Sequence, residues 1–206
     1  MEHTVITIAR SYGSGGRTLG RLLARELGYH YYDRELLRLA SDDSGIHERL
    51  FGEVDEKIKT KSIFGAGQNI YKGGVLPPES GAFVSDDNLF NYQAKVIKEV
   101  AAKESCVIIG RCADYILKDY DNVIKLYFYA PKEDCIARVL EQNGGTEAEI
   151  TRKIEKINKY RSDYCRYHTG SDWTDARKYD LCLNTSSMSY EKLIEAVKAY
   201  IDICRK

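Results

Sequence analysis

"VITIARSYGSGGRTLGRLLARELG", residues 5–28, decides how this chain folds. Val5-Ile6-Thr7-Ile8 is a short β-branched run with the composition of a buried strand. Gly13, Gly15 and Gly16 follow, and from Gly16 the apolar spacing turns helical through Leu19, Leu22, Leu23 and Leu27. Gly28 then stands where the glycine that ends a helix belongs. A glycine turn between a strand and a helix start offers backbone N–H groups to an anion, helped by the positive end of the helix dipole. Three glycines in four positions, 13–16, are more than a bare turn requires. "GSGGRT", 13–18, therefore reads as a phosphate loop made of Gly13, Ser14, Gly15, Gly16, Arg17 and Thr18.

Two nucleotide motifs compete for this stretch. The dinucleotide pattern GxGxxG begins at Gly13 and Gly15 but meets Thr18 where its third glycine belongs. Asp33 ends the next strand-like run, 15 residues past Thr18, short of the ribose-binding acid's usual spacing of about 20. The pattern GxxxxGK[ST] finds its glycine separation at Gly15 and Gly20, but Gly20 lies inside the helix and Arg21-Leu22 follow it. The loop has no lysine.

Outward from the loop, Tyr29–Tyr32 reads as a second strand and Arg34–Ala40 as a helix. Residues 42–88 hold few long apolar runs; 64–82 carry five glycines and a Pro-Pro pair, which predicts a mobile loop. Asp86 or Asp87 caps a helix to about Lys103. Cys106–Ile109 and Val123–Tyr129 are strands, Pro131 starts a helix, and 146–164 is a long basic helical stretch. Asp180–Asn184 is a fifth strand, and a last helix from Ser189 carries Leu193, Ile194, Val197, Ile201 and Cys204 on one stripe. Strands alternating with helices predict a five-stranded parallel sheet, helices on both faces, in one α/β domain. Ligands of such sheets sit beyond the C-terminal strand ends, which gathers Gly13–Thr18, Asp33, Arg111 and the loop after Tyr129.

The 206 residues carry 31 basic and 31 acidic side chains, so no net field draws the chain to nucleic acid or a membrane. No apolar run reaches the length of a membrane span. Met1-Glu2-His3-Thr4 lacks the features of a signal peptide. The six cysteines show neither a CxxC pair nor zinc spacing; Cys106, Cys135, Cys182 and Cys204 read as small buried hydrophobes. A cytoplasmic, reducing setting is expected. The oligomeric state is left open.

Five segments taken together resemble the cytidylate-kinase-like branch of P-loop nucleoside monophosphate kinases. They are "ITIARSYGSGGRTLG" (6–20), "YYDRELL" (31–37), "VIIGRCADYIL" (107–117), "KINKYRSDYCRYHTG" (156–170) and "YDLCLNTS" (179–186). The resemblance implies a P-loop fold with an inserted acceptor-binding region at about 42–88 and a lid at about 143–170 that closes over ATP. Authentic cytidylate kinases write the loop like GPSGAGKGT. Set against that, Gly13-Ser14-Gly15 match GAG, Gly16 takes the lysine's place, Arg17 is displaced by one position and Thr18 keeps the hydroxyl. The family's GRD becomes Gly110-Arg111-Cys112 with Asp114 following, and its lid DxxR becomes Asn158-Lys159-Tyr160-Arg161.

What the resemblance implies for chemistry is ATP-dependent phosphoryl transfer to a nucleoside monophosphate, CMP or dCMP. Phosphoryl transfer asks for positioning and for cations around oxygens that gain charge, which suits arginine. Arg17, Arg111 and Arg161 are the catalytic candidates, with Arg152 and Arg166 behind them. Thr18 would hold Mg²⁺, and Asp33, Arg38, Arg111 and Asp114 would face the acceptor. Asp33 is as well explained as the cap of the helix that follows it. Tyr12, Tyr160 and Tyr164 are base-stacking candidates, and His168 is a poor ligand or base. Competing expectations are a nucleotide-binding regulator of the same fold without turnover, a kinase of a small non-nucleotide acceptor, and, most distantly, a dinucleotide-dependent oxidoreductase.

Overall fold

In the computed structural model, residues 3–56 and 70–204 are described. The order is β1 (Val5–Arg10), α1 (Gly16–Leu27), β2 (His30–Tyr32), α2 (Glu35–Ser44), α3 (Glu48–Glu56), α4 (Asp86–Lys103), β3 (Cys106–Ile109) and α5 (Ala113–Ile116). β4 (Val123–Tyr129), α6 (Lys132–Asn143), α7 (Glu147–Thr169), β5 (Leu181–Asn184) and α8 (Tyr190–Cys204) complete it. The strands form one sheet in the order β2-β3-β1-β4-β5, every pair parallel.

Period-two alternation along the strands separates two cores. Val5, Cys106, Ile108 and Val123 face α2, α4 and α5. Ile6, Ile8, Val107, Ile109, Leu126 and Phe128 face α1 and α8. A third, smaller cluster joins α6 to α7 through Cys135, Ile136, Val139, Ile150 and Ile154. The two helices meet at Gly144 and Gly145, and Thr146 with Glu149 closes a reciprocal capping box at the start of α7.

Within the inserted region 42–88, α2 runs on to Ser44 and α3 occupies Glu48–Glu56, elements for which no helix was expected. Ile46 and Phe51 are buried in the core, but the charged residues between them hide that anchoring from a run-based reading. Residues 57–69, which include the start of the loop expected at 64–82, lie outside the described residues. In 70–85 the chain has turns but no helix or strand, and the fully buried Asn88 pins it. Its Oδ1 accepts from Leu76 N at 2.7 Å, while its Nδ2 donates to Leu76 O at 3.2 Å and Phe83 O at 2.7 Å. The α4 cap is Ser85, whose Oγ accepts from Asn88 N, rather than Asp86 or Asp87. Of the four cysteines expected inside, Cys106 and Cys135 are buried, Cys182 is intermediate and Cys204 is exposed; Cys112 and Cys165 are buried instead. Cys204 is at helical spacing from Val197 and Ile201 but is the last residue of α8, where it is exposed. No helix among the described residues is long and apolar enough to cross a membrane.

Candidate active site

The loop between β1 and α1 owes its shape to glycine. Gly13 and Gly15 have φ of 82° and 78°, left-handed values that cost other residues free energy. A Cβ at Gly13 would stand 2.8 Å from the Cys135 carbonyl oxygen, and one at Gly15 would collide with the Tyr190 hydroxyl. The turn is held from its outer side. Buried Ser14 donates through Oγ to Ser11 O at 2.8 Å, and Gly16 N donates back to that Oγ at 3.3 Å. Arg138 on α6 donates to Ser14 O at 2.9 Å, and to Thr185 Oγ1 and O at 3.1 and 2.8 Å. The Thr185 hydroxyl also donates to Ser14 O. The first-turn N–H groups of α1 have no intrahelical carbonyl to meet. A cradle too tight for any Cβ, backed by a helix start, fits a polyphosphate.

Arg17 lies on α1, exposed, with its guanidinium turned to Asp33 at the end of β2: Nε donates to Oδ2 at 2.8 Å and Nη2 to Oδ1 at 3.4 Å. Asp33 is therefore no helix cap; the cap residue of α2 is Arg34, with no side-chain bond. Thr18 lines the same cavity. Among the described residues no group of three or more His, Cys, Asp or Glu could hold a metal. A loop hydroxyl suits Mg²⁺, which is commonly held by one or two protein groups together with substrate phosphates.

Arg111 follows β3 and is 9% exposed. Its Nε donates to Asp33 O at 3.2 Å and its Nη1 to Gln93 Oε1 at 3.2 Å. Arg111 and Cys112 have φ of 58° and 54° with no glycine to ease them, the kind of backbone strain that collects at functional sites. Asp114 also lines the cavity. Burial raises its carboxyl above the usual carboxylate range, opposed by backbone hydrogen bonds and by Lys178 and Lys125.

Arg161 on α7 donates to Arg10 O at 3.0 Å and lies over the Tyr12 ring at 5.7 Å. Tyr12 N donates to Asn158 Oδ1 at 2.8 Å, so α7 docks directly on the glycine loop. Lys153 Nζ lies over the same ring, 5.9 Å from its centroid, so the Tyr12 ring is engaged by two cations. Tyr160 and Tyr164 line the cavity wall. His168 is stacked on Phe90 at 4.0 Å, and burial takes its pKa down to about 3, a core histidine rather than a base.

These groups surround one cavity of about 1280 Å³. Gly13, Gly15, Gly16, Arg17, Thr18, Asp33, Arg111, Asp114 and Arg161 all line it. Ser14 lies behind the wall, its side chain spent on the turn. Arg38 is the exception: it pairs with Asp42 at 3.0 Å and Glu35 at 3.4 Å on the exposed side of α2 and does not line the cavity. Arg152 is exposed outside the cavity, and Arg166 pairs loosely with Asp172 at 3.8 Å. Lining residues that the sequence reading passed over are Arg138, Lys153, Lys156 and, from α3, Glu48, Arg49 and Glu53. Arg138 stands on α6 at helical spacing from Cys135, which carried no sign that it reaches the loop.

Comparison with known proteins places this geometry. The model of the cytidylate kinase-like family matches residues 5–187. A cytidylate kinase from Pyrococcus abyssi is 30% identical over 96% of this chain and 93% of its own length. One from Pyrococcus horikoshii is 27% identical over 98% and 90%. Among solved structures, an uncharacterized protein from Eubacterium ventriosum aligns over 97% of this chain and 98% of its own, with 27% identity and a TM-score of 0.71. A shikimate kinase from Bacteroides thetaiotaomicron, 14% identical with a TM-score of 0.55 over 97% and 98%, shares the fold.

Proposed function

This chain belongs to the cytidylate kinase-like family, and from that premise we propose that it transfers the γ-phosphoryl group of ATP to a nucleoside monophosphate, CMP or dCMP. The relatives named cytidylate kinase support the acceptor class. The observation that carries the reading is one cavity with two phosphate-facing ends: the Gly13–Thr18 cradle at one, buried Arg111 at the other, with the Arg17–Asp33 pair between them.

In this reading Gly13, Gly15, Gly16 and the first N–H groups of α1 bind the donor's β- and γ-phosphates. Thr18 holds Mg²⁺, which when bound neutralises phosphate charge. Arg111 grips the acceptor phosphate through a fork already oriented by Gln93 and the Asp33 carbonyl. Asp33 holds Arg17 beside the line of transfer, where it takes the charge-stabilising part of the absent lysine. An acceptor that is already a phosphate dianion needs no strong base; alignment and exclusion of water do the work. Residues 143–170 act as the lid, with Arg161 reaching the loop.

A nucleotide-binding regulator without turnover is the second reading. One observation favours it: the loop has no lysine, and its nearest arginine is already paired at 2.8 Å. ATP and Mg²⁺ incubated with a panel of nucleoside monophosphates and small hydroxyl compounds separates the two. The kinase reading expects ADP matched one for one by a diphosphate of cytidine or deoxycytidine. ADP without a phosphorylated acceptor, or ATP binding without ADP, overturns it.

A further inference from the structure

Arg49, Gly52 and Glu53 stand on one face of α3, at positions i, i+3 and i+4, and all three line the cavity that also holds the glycine loop and Arg111. The opposite face anchors the helix: Phe51 is buried in the core cluster with Ile46, Leu37 and Phe90. None of the three cavity-facing residues is used by the proposed grip on either phosphate.

Packing does not explain the glycine. Inside a helix glycine is less stable than alanine, so a local cause is needed. Gly52 does not have the left-handed backbone that favours glycine, and a Cβ built on it would meet no atom within 4 Å. That room opens on the cavity, which Gly52 lines. Stability does not explain the charged pair either. Arg49 Nε donates to Glu53 Oε1 at 3.2 Å, but the two side chains are 77% and 39% exposed, and an ion pair that open is worth little. The result is a strip of bare helix backbone with a cationic donor and an anionic acceptor beside it, facing the cavity.

A flat heteroaromatic ring fits such a strip. A guanidinium has five N–H donors and a carboxylate about four lone-pair sites, so the two groups can hold each other and a ligand at once. A carboxylate accepts from the exocyclic amine of cytosine, and a guanidinium donates to the ring N3 and O2 next to that amine. Uracil offers O4 where cytosine has the amine, and a carboxylate cannot donate to it. We propose that Arg49, Gly52 and Glu53 are the base subsite of the acceptor, built for a 4-aminopyrimidine. The ring lies against the backbone at Gly52, its amine donates to Glu53, and its N3 and O2 accept from Arg49. This rests on the nucleoside monophosphate reading and gives the choice of base to α3, leaving the phosphate to Arg111.

The test measures binding of CMP, UMP and AMP to the full chain by calorimetry without ATP, beside denaturant unfolding of each variant. The wild type should bind CMP about tenfold or more tightly than UMP. Glu53→Gln, whose amide can turn its N–H groups to O4, should bring that ratio close to one. Gly52→Leu fills the strip, so CMP affinity should fall by about tenfold or more, while stability holds or rises because leucine is the better helix former. A glycine needed only for the fold would do the opposite, losing stability and keeping CMP. Gly52→Ala, a smaller change, should raise stability and weaken CMP less. Equal wild-type affinity for CMP and UMP, tighter binding of AMP than of CMP, an unchanged ratio in Glu53→Gln, or full CMP affinity in Gly52→Leu overturns the subsite. Where the same protein phosphorylates CMP, those results leave the proposed function standing. A wild type that binds no nucleoside monophosphate overturns both.

Discussion

At residues 13–16 the chain is fixed by what presses on its backbone: Cys135 against Gly13, Tyr190 against Gly15, and Arg138 with Thr185 on the Ser14 carbonyl. At the other end of the cavity, Arg111 is fixed by what its side chain reaches, the Asp33 carbonyl and Gln93, from its own left-handed backbone directly after Gly110. On the proposed function, the first arrangement would recognise phosphate by N–H groups that no single side-chain change deletes, and the second would concentrate recognition in one guanidinium. A substitution at the donor end therefore acts through the shape of the loop, and one at the acceptor end acts on contact itself. Gly15 shows the difference. A side chain there meets Tyr190, so a variant such as Gly15→Val disturbs the packing of α8 on the loop as well as any phosphate.

The sharpest contrast should come from Arg111→Ala. Losing a buried, hydrogen-bonded charge is worth several kcal/mol, so acceptor kcat/KM should fall by roughly 10²–10³, with ATP affinity by calorimetry nearly unchanged. Equal losses for both substrates would break the division into two ends. Arg138→Ala should do the reverse. Removing a charged donor from the Ser14 carbonyl costs about 1.5–3 kcal/mol, so ATP affinity should weaken by about ten- to a hundredfold while acceptor KM holds. Unaltered ATP affinity would show that the loop keeps its shape without this brace.

The acceptor wall also depends on α7, whose last turns pack through His168 on Phe90. Burial lowers the His168 pKa from 6.5 to about 3, so the unfolded chain binds a proton that the folded chain refuses. Stability should therefore fall as pH drops below 6.5, by about 2 kcal/mol between pH 7 and pH 5. His168→Phe should flatten that slope in denaturant titrations, and an unchanged slope would assign it to other groups. The smallest effect belongs to Arg38, paired with Asp42 and Glu35 in the open. Arg38→Ala should cost less than about 0.5 kcal/mol and leave both KM values alone; a raised acceptor KM would extend the acceptor end onto the outer face of α2.

The same contrast explains what could be read in advance. Strand, glycine turn and helix at 5–28 were legible because glycine at a left-handed position and helical leucine spacing are local signals. The sheet followed from alternation of such units. Arg111 was legible by its place after β3, but Gln93 and Arg138 were not, since their partners are set by packing between distant helices. α3 was missed because Ile46 and Phe51 anchor it from within a charged stretch. The pairing of Arg38 with Glu35 and Asp42 outside the cavity was not legible in its position, and neither was the exposure of Cys204, because helical spacing does not say where along α8 burial ends.

The account turns on whether Arg17 supplies the charge that the loop's missing lysine would bring. The geometry leaves it poised but paired, Nε to Asp33 at 2.8 Å. The most direct measurement is kcat for Arg17→Ala at saturating ATP, Mg²⁺ and cytidine monophosphate, beside its ATP affinity. The account predicts a fall of about 10²–10³ in kcat, by analogy with the loss of one transition-state donor, a smaller loss of ATP affinity, and partial recovery in Arg17→Lys, whose point charge lacks the fork. An Arg17→Ala protein with undiminished kcat would contradict it.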